Sequence, residues 1–240
     1  MLIAISRDEV VRLVTKQLDT LLIFNRHNEL TVLSKAIDKA LEKAEFCFSF
    51  IRNEFYRKGN NVYFNPFHQG QYASFLYFVS NILFRNYQAT SLAERVFYLN
   101  KILNAVDLYY EVMLPDIFFP MHPMGSVMGR ANYANFFCFL QNCSVGSNKD
   151  VYPSFGENVI LYSGVTVIGN SNIGDHCVLS ANTYVKEQDV PAHSLVFGSS
   201  PNLVIKHKTE SDLIKMTSNI WLRPGATVSD RDAIRKDTGV

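Results

Sequence analysis

The sequence predicts an α+β chain: an N-terminal α-helical domain over residues 1–105, a solenoid of short parallel strands over 106–208, and a capping tail over 209–240. Three observations predict it. Apolar residues in the front half recur at spacings of three and four, the signature of one buried helical face. From about residue 127 the spacing changes to six, and from Phe155 to Val190 six consecutive hexads keep it. Neither a helix nor an alternating strand has a repeat of six, whereas a coil built from three short flat faces does.

The helical elements follow in order. Ser6 and Glu9 stand in capping-box spacing ahead of Val10, Leu13, Val14, Leu18, Leu21 and Leu22. Val32, Leu33, Ala36, Ile37, Ala40 and Leu41 form a second stripe. A turn is expected at KGNN, residues 58–61, then an aromatic-rich helix with Pro66 in its first turn. Ser91 and Glu94 suggest another capping box before Val96, Phe97, Leu99, Ile102 and Leu103. About four packed helices result.

In the solenoid, Phe155, Leu161, Val167, Ile173, Leu179 and Val185 lead the hexads, and Val159, Val165, Ser171, Cys177 and Thr183 hold the fifth place. Side chains alternate across a strand, so both sets point inward, and Gly, Asn and Asp between them make the corners. Three faces give a coil of about 18 residues, with coils stacked roughly 4.8 Å apart. Upstream, Val127, Tyr133, Phe139 and Val145 continue the pattern, although Met128, Ala134 and Leu140 offer a register shifted by one. Ten positions separate Val145 from Phe155, so GSNKDVYPS is expected to leave the coil as a loop.

Composition narrows the function. A net charge of +1 on 240 residues gives no electrostatic case for nucleic acid. No secretory signal and no membrane-length apolar run is visible, so the expected compartment is the cytoplasm. Cys47, Cys138, Cys143 and Cys177 lack metal-ligand spacing and are expected as buried thiols, with no metal.

The hexads, the phrase VPAHSLVFGSSPNLVI and the motif HPMGSVMG starting at His122, followed by Leu140 and Gln141, resemble the hexapeptide-repeat acyltransferases, and serine acetyltransferase in particular. The resemblance implies a left-handed parallel β-helix and an acetyl-CoA-dependent transfer. His122 becomes the general base toward an acceptor hydroxyl, and Asp107, 15 residues earlier, the carboxylate that orients it. Ser163, Gly164 and Ala181 match corner positions beside the pantetheine arm, and Lys206 and Lys208 are candidates for the CoA phosphates. A homotrimer, or a dimer of trimers, is the implied assembly. His176 and His193 read as corner or structural residues, and His27 and His68 have no visible partner.

Departures from that family shape the acceptor. Met121 stands where an aspartate precedes the catalytic histidine, and Val151, Tyr152 and Pro153 replace an Arg-His-Pro. An amino-acid zwitterion needs opposite charges at its two ends, and those charges are missing. Met121 and Tyr152 form an apolar, aromatic wall that suits a sugar ring, so a carbohydrate O-acetyltransferase is the expectation. Compensation by Lys149, Asp150 or Arg130 would keep L-serine as acceptor. N-acetylation of an amino sugar, or a non-catalytic β-helix scaffold, are the other readings. The tail, which ends in Gly239 and Val240, is expected to cap the last coil through Ile214, Ile220, Trp221 and Leu222, without docking a cysteine-synthesising partner.

Overall fold

The computed structural model describes residues 1–217 and 219–222. Four helices build the front half: α1 (Arg7–Leu21), α2 (Arg26–Ser49), α3 (Gln69–Tyr87) and α4 (Thr90–Asn104). The Ser6 hydroxyl accepts from the Glu9 N–H while the Glu9 carboxylate accepts from the Ser6 N–H, so the expected box caps α1. Ser6→Ala should cost about 1 kcal/mol, read as a lower urea midpoint at unchanged slope.

Two other helix starts differ from expectation. His68, not a residue beside Pro66, caps α3. α4 begins after Ala89 with no side-chain cap, so Ser91 and Glu94 lie inside it. In α3 every residue from Gly70 to Leu83 is buried, because the other helices and the first coil enclose it on all sides. Ile102 and Leu103, at the end of the α4 stripe, remain exposed. The sequence also hid a three-stranded sheet of Leu2–Ile3, Asn61–Phe64 and Arg57–Lys58, whose short strands show no measurable period.

Behind the helices, a parallel β-solenoid presents three faces. The first stacks Phe118–Pro120, Phe137–Phe139, Ile160–Leu161, Val178–Leu179 and Ser194–Phe197; antiparallel Val204–His207 closes its edge. The second stacks Val127–Met128, Ser144–Gly146, Thr166–Ile168 and Tyr184–Lys186. The third stacks Asn132–Tyr133, Ser154–Phe155 and Asn172–Ile173. Registers pair Phe155 with Ile173, Leu161 with Leu179 and Val167 with Val185, the hexad leads of successive coils. All six leads and all five fifth-place residues are buried.

The first coil corrects the reading. Met128 pairs with Val145 and is fully buried, whereas Val127 is 43 % exposed, so the lead slips by one residue here. Tyr133 and Phe139 keep their places against Phe155 and Leu161.

The tail also takes a different course. α5 (Glu210–Met216) lays Leu213 against Val178 and Leu195, on the flank of the first face. The chain then runs back to the first coil, where Trp221 packs at 5.5 Å from Phe136 and 6.2 Å from Phe119. Its described part therefore fills an aromatic seam beside the helices and leaves the last strand to Val204–His207. Residues 223–240, including Gly239 and Val240, lie outside the described residues.

Candidate active site

His122 stands on a corner that is longer in its own coil than in the next. Before the corner Pro120 pairs with Phe139, 19 residues on; after it Met128 pairs with Val145, 17 residues on. The first coil therefore holds two extra residues at this corner, and they have to bulge outward. His122 takes a left-handed backbone, φ 51°, which a branched or bulky residue adopts only under constraint. The constraint is visible on both sides. The Met121 N–H donates to the Phe139 carbonyl at 2.9 Å, the Met124 N–H to the His122 carbonyl at 2.9 Å, and the Gly125 N–H to the Ala105 carbonyl at 2.8 Å. Buried Pro123 and Ser126, whose hydroxyl donates to the Leu140 carbonyl at 2.7 Å, anchor the turn and leave the imidazole exposed.

Asp107 lies alongside this turn. Its N–H donates to the Ser126 carbonyl at 2.9 Å and its carbonyl accepts from the Met128 N–H at 3.0 Å, so it runs parallel to Val127. Its carboxylate accepts from the Lys101 ammonium of α4 at 2.7 Å. Among the described residues no hydrogen bond joins that carboxylate to the His122 ring. Sequence spacing brought the two onto one corner but did not reveal Lys101.

Above His122 the same corner climbs as a ladder of short steps. The Asn142 N–H donates to the Met124 carbonyl, the Gly164 N–H to Gln141 and the Asn182 N–H to Ser163, each at 2.9 Å. Ser163 and Gly164 thus stack directly beneath Ala181 and Asn182 and above the His122 turn. Gly164 has φ +74°, and a Cβ there would meet the Asn182 side-chain oxygen, so the step is kept shallow and close to the backbone. Such a step is a surface on which an extended chain can lie with carbonyl and N–H groups in reach. It fits the arm of CoA.

The remaining expected site residues scatter around this edge. GSNKDVYPS leaves the solenoid as expected, through a tight hairpin in which Lys149 and Asp150 both take positive φ and Asn148 and Val151 exchange N–H···O bonds at 3.0 Å. Val151 and Tyr152 are exposed at 45 % and 42 %. Met121 is half-buried and packs against the core. Arg130 is held by Glu111 at 3.0 Å and lies over the Tyr109 ring. Lys206 lies over Phe197, and Lys208 donates its N–H to the His193 carbonyl at 2.8 Å, both at the far end of the coils. His176 and His193 stack at 4.9 Å on another corner, with His207 6.1 Å beyond, and the Asn158 amide meets His176 at 3.1 Å.

All four cysteines are free and buried, and burial pushes the Cys47 thiol up to about 12. Among the described residues no group of His, Cys, Asp and Glu could hold a metal ion, and no helix is long and apolar enough to cross a membrane.

No family model matches the chain. Serine acetyltransferase of Synechococcus elongatus is 25% identical over 120 residues, 48% of this chain and 49% of that protein. Serine acetyltransferase 2 of Arabidopsis thaliana is 29% identical over 110 residues, 39% and 34% of the two chains. The match spans about half the length of the first of these relatives and a third of the second. Among solved structures, Neisseria gonorrhoeae serine acetyltransferase superposes with a TM-score of 0.68 at 19% identity, covering 86% of this chain and 82% of that one. A serine acetyltransferase in complex with CoA gives 0.62 at 15%, covering 83% and 84%. By its relatives and its architecture, the chain is serine acetyltransferase-like: a helical front half joined to the parallel β-solenoid of the hexapeptide-repeat acyltransferases.

Proposed function

We propose that this protein is an acetyl-CoA-dependent O-acetyltransferase in which His122 is the general base. One observation carries the reading: an exposed imidazole is fixed in a constrained turn at the foot of the shallow ladder formed by Ser163, Gly164 and Ala181. In the reaction the acceptor hydroxyl gives its proton to the His122 ring as its oxygen attacks the thioester carbonyl. The carbon–sulfur bond then breaks, and the protonated ring returns the proton to the departing thiolate. Base catalysis of this kind contributes roughly 10²- to 10⁴-fold.

Asp107 is proposed as the carboxylate that stabilises the imidazolium, exchanging its Lys101 contact for His122 during turnover. Asp107→Asn should then lower kcat about 10²-fold, the scale of a misaligned catalytic group. Lys101→Met, which frees the carboxylate, should stay within a fewfold of the parent. Equal losses in both variants would mean that the ion pair only holds α4 to the coil.

The acceptor we favour is L-serine, the substrate that gives these relatives their name. The carbohydrate expected from Met121 and Tyr152 becomes the second reading, kept because neither residue brings a charge to the site. Thiol release from acetyl-CoA, measured with L-serine and with a sugar panel, separates them. Serine-dependent release is expected; release with sugars alone would transfer the assignment, and release with neither would refute both. Exposed Met124, Val127, Val151 and Tyr152 favour the homotrimer, in which a neighbouring copy would cover this edge. Sedimentation equilibrium should return three times the chain mass.

A further inference from the structure

A second histidine borders the same corner, and the sequence gave no reason to connect the two. His68 caps α3, its Nδ1 accepting from the Gln71 N–H at 3.4 Å. With Nδ1 used as an acceptor, the neutral ring must carry its proton on Nε2, so its outer nitrogen is a hydrogen-bond donor. The ring is braced by Phe55 at 5.5 Å and by the edge of Tyr56 at 5.6 Å. Two residues on, Gly70 is pressed against the strand that leads into the site. A Cβ there would lie 2.7 Å from the Pro120 carbonyl oxygen and 3.6 Å from the His68 ring. Only Met121 separates Pro120 from His122.

Electrostatics agrees with this placement. His68 is held below its ordinary value first by burial and then by repulsion from His122, so the two imidazoles sense each other's charge. A ring that resists protonation presents a neutral N–H at neutral pH. Exposed Phe67 and Phe55 flank it and add an apolar rim.

We propose that His68 is a specificity-determining residue of the acceptor site, donating its Nε2–H to an oxygen of the acceptor that neighbours the reacting hydroxyl. This rests on the acetyl-transfer reading above. The ligand chemistry is that of an oxygen acceptor close to an alcohol, whether a carboxylate, as in L-serine, or a second hydroxyl, as in a sugar. A neutral donor tolerates both, whereas an ammonium group in that place finds no acceptor on His68.

The test uses the full-length protein and His68→Asn, since asparagine keeps the cap on α3 but is too short to reach the acceptor. KM for the acceptor that supports turnover should rise at least tenfold, and KM for acetyl-CoA should stay within twofold. A purely structural role would move both together or lower the melting temperature instead. In parallel, the His68 ring is titrated by NMR in the parent and in His122→Asn. It should titrate below an ordinary histidine in the parent and move upward when His122 is gone. An unchanged acceptor KM, or a His68 titration indifferent to His122→Asn, overturns the proposal while leaving the acetyltransferase reading in place. Absence of turnover with every acceptor removes that reading and this one with it, even if the titrations are coupled.

Discussion

Replacing His122 with asparagine is expected to lower acetyl transfer by about 10²- to 10⁴-fold, the full contribution of a general base, with the fold untouched. Asparagine is the informative substitution because this residue sits at φ 51°, and asparagine enters the left-handed region more readily than most side chains. Alanine would combine the loss of the base with backbone strain. The imidazole is exposed and no hydrogen bond of the described residues depends on it, so removing it leaves no buried group unsatisfied. Thermal melting should therefore move by no more than a degree or two while kcat collapses. Steady-state thiol release with the accepted substrate reads the first quantity, and circular dichroism the second. A variant that turns over at the parental rate would move the base to another residue and remove the reason for the constrained corner.

How far the sequence carries this argument depends on the distance over which each signal acts. The hexads were legible because every inward lead from Phe155 to Val185 obeys one local rule, and the registers reproduce it coil by coil. The slip at Met128 was not, because Val127 and Met128 are both apolar and only the packing of one coil on the next chooses between them. Helix starts show the same limit. Ser6 with Glu9 is a cap wherever it stands ahead of a helix, whereas the start of α3 is set by a histidine cap and by contact of Gly70 with Pro120. Ser91 and Glu94 have the right spacing inside a helix that already began at Thr90.

In the site, His122 and the corner residues Ser163, Gly164 and Ala181 could be located by spacing, since one repeat determines all of them. Lys101 on Asp107 and His68 beside His122 could not. Both arrive from helices that meet the solenoid only after folding, and neither contact leaves a period in the chain. The tail's course is a tertiary outcome too, because Trp221 is drawn to Phe119 and Phe136 across the whole chain.

The largest stability effect is expected at the coil that carries His122. Phe139 is fully buried, 6.0 Å from Phe137, and it holds the lead position opposite Leu161. Its carbonyl accepts the Met121 N–H at 2.9 Å, one residue before His122. Phe139→Ala should cost about 3–5 kcal/mol, transfer free energy plus the cavity left when a stacked coil cannot collapse around the gap. Parallel coils are held to fixed spacing by their backbone ladders, which limits relaxation and favours the upper part of that range. Phe46→Ala serves as the control: its ring is 51 % exposed on α2, and a change within about 0.5 kcal/mol is expected there. Urea unfolding measures both. Because the strand into the His122 turn hangs on the Phe139 backbone, the surviving folded fraction of Phe139→Ala should also show a lower kcat at unchanged KM for acetyl-CoA. A loss of stability with kcat per folded molecule fully preserved would mean that the turn is held by Pro123, Ser126 and Ala105 alone, and that the constraint on His122 is local to its own loop.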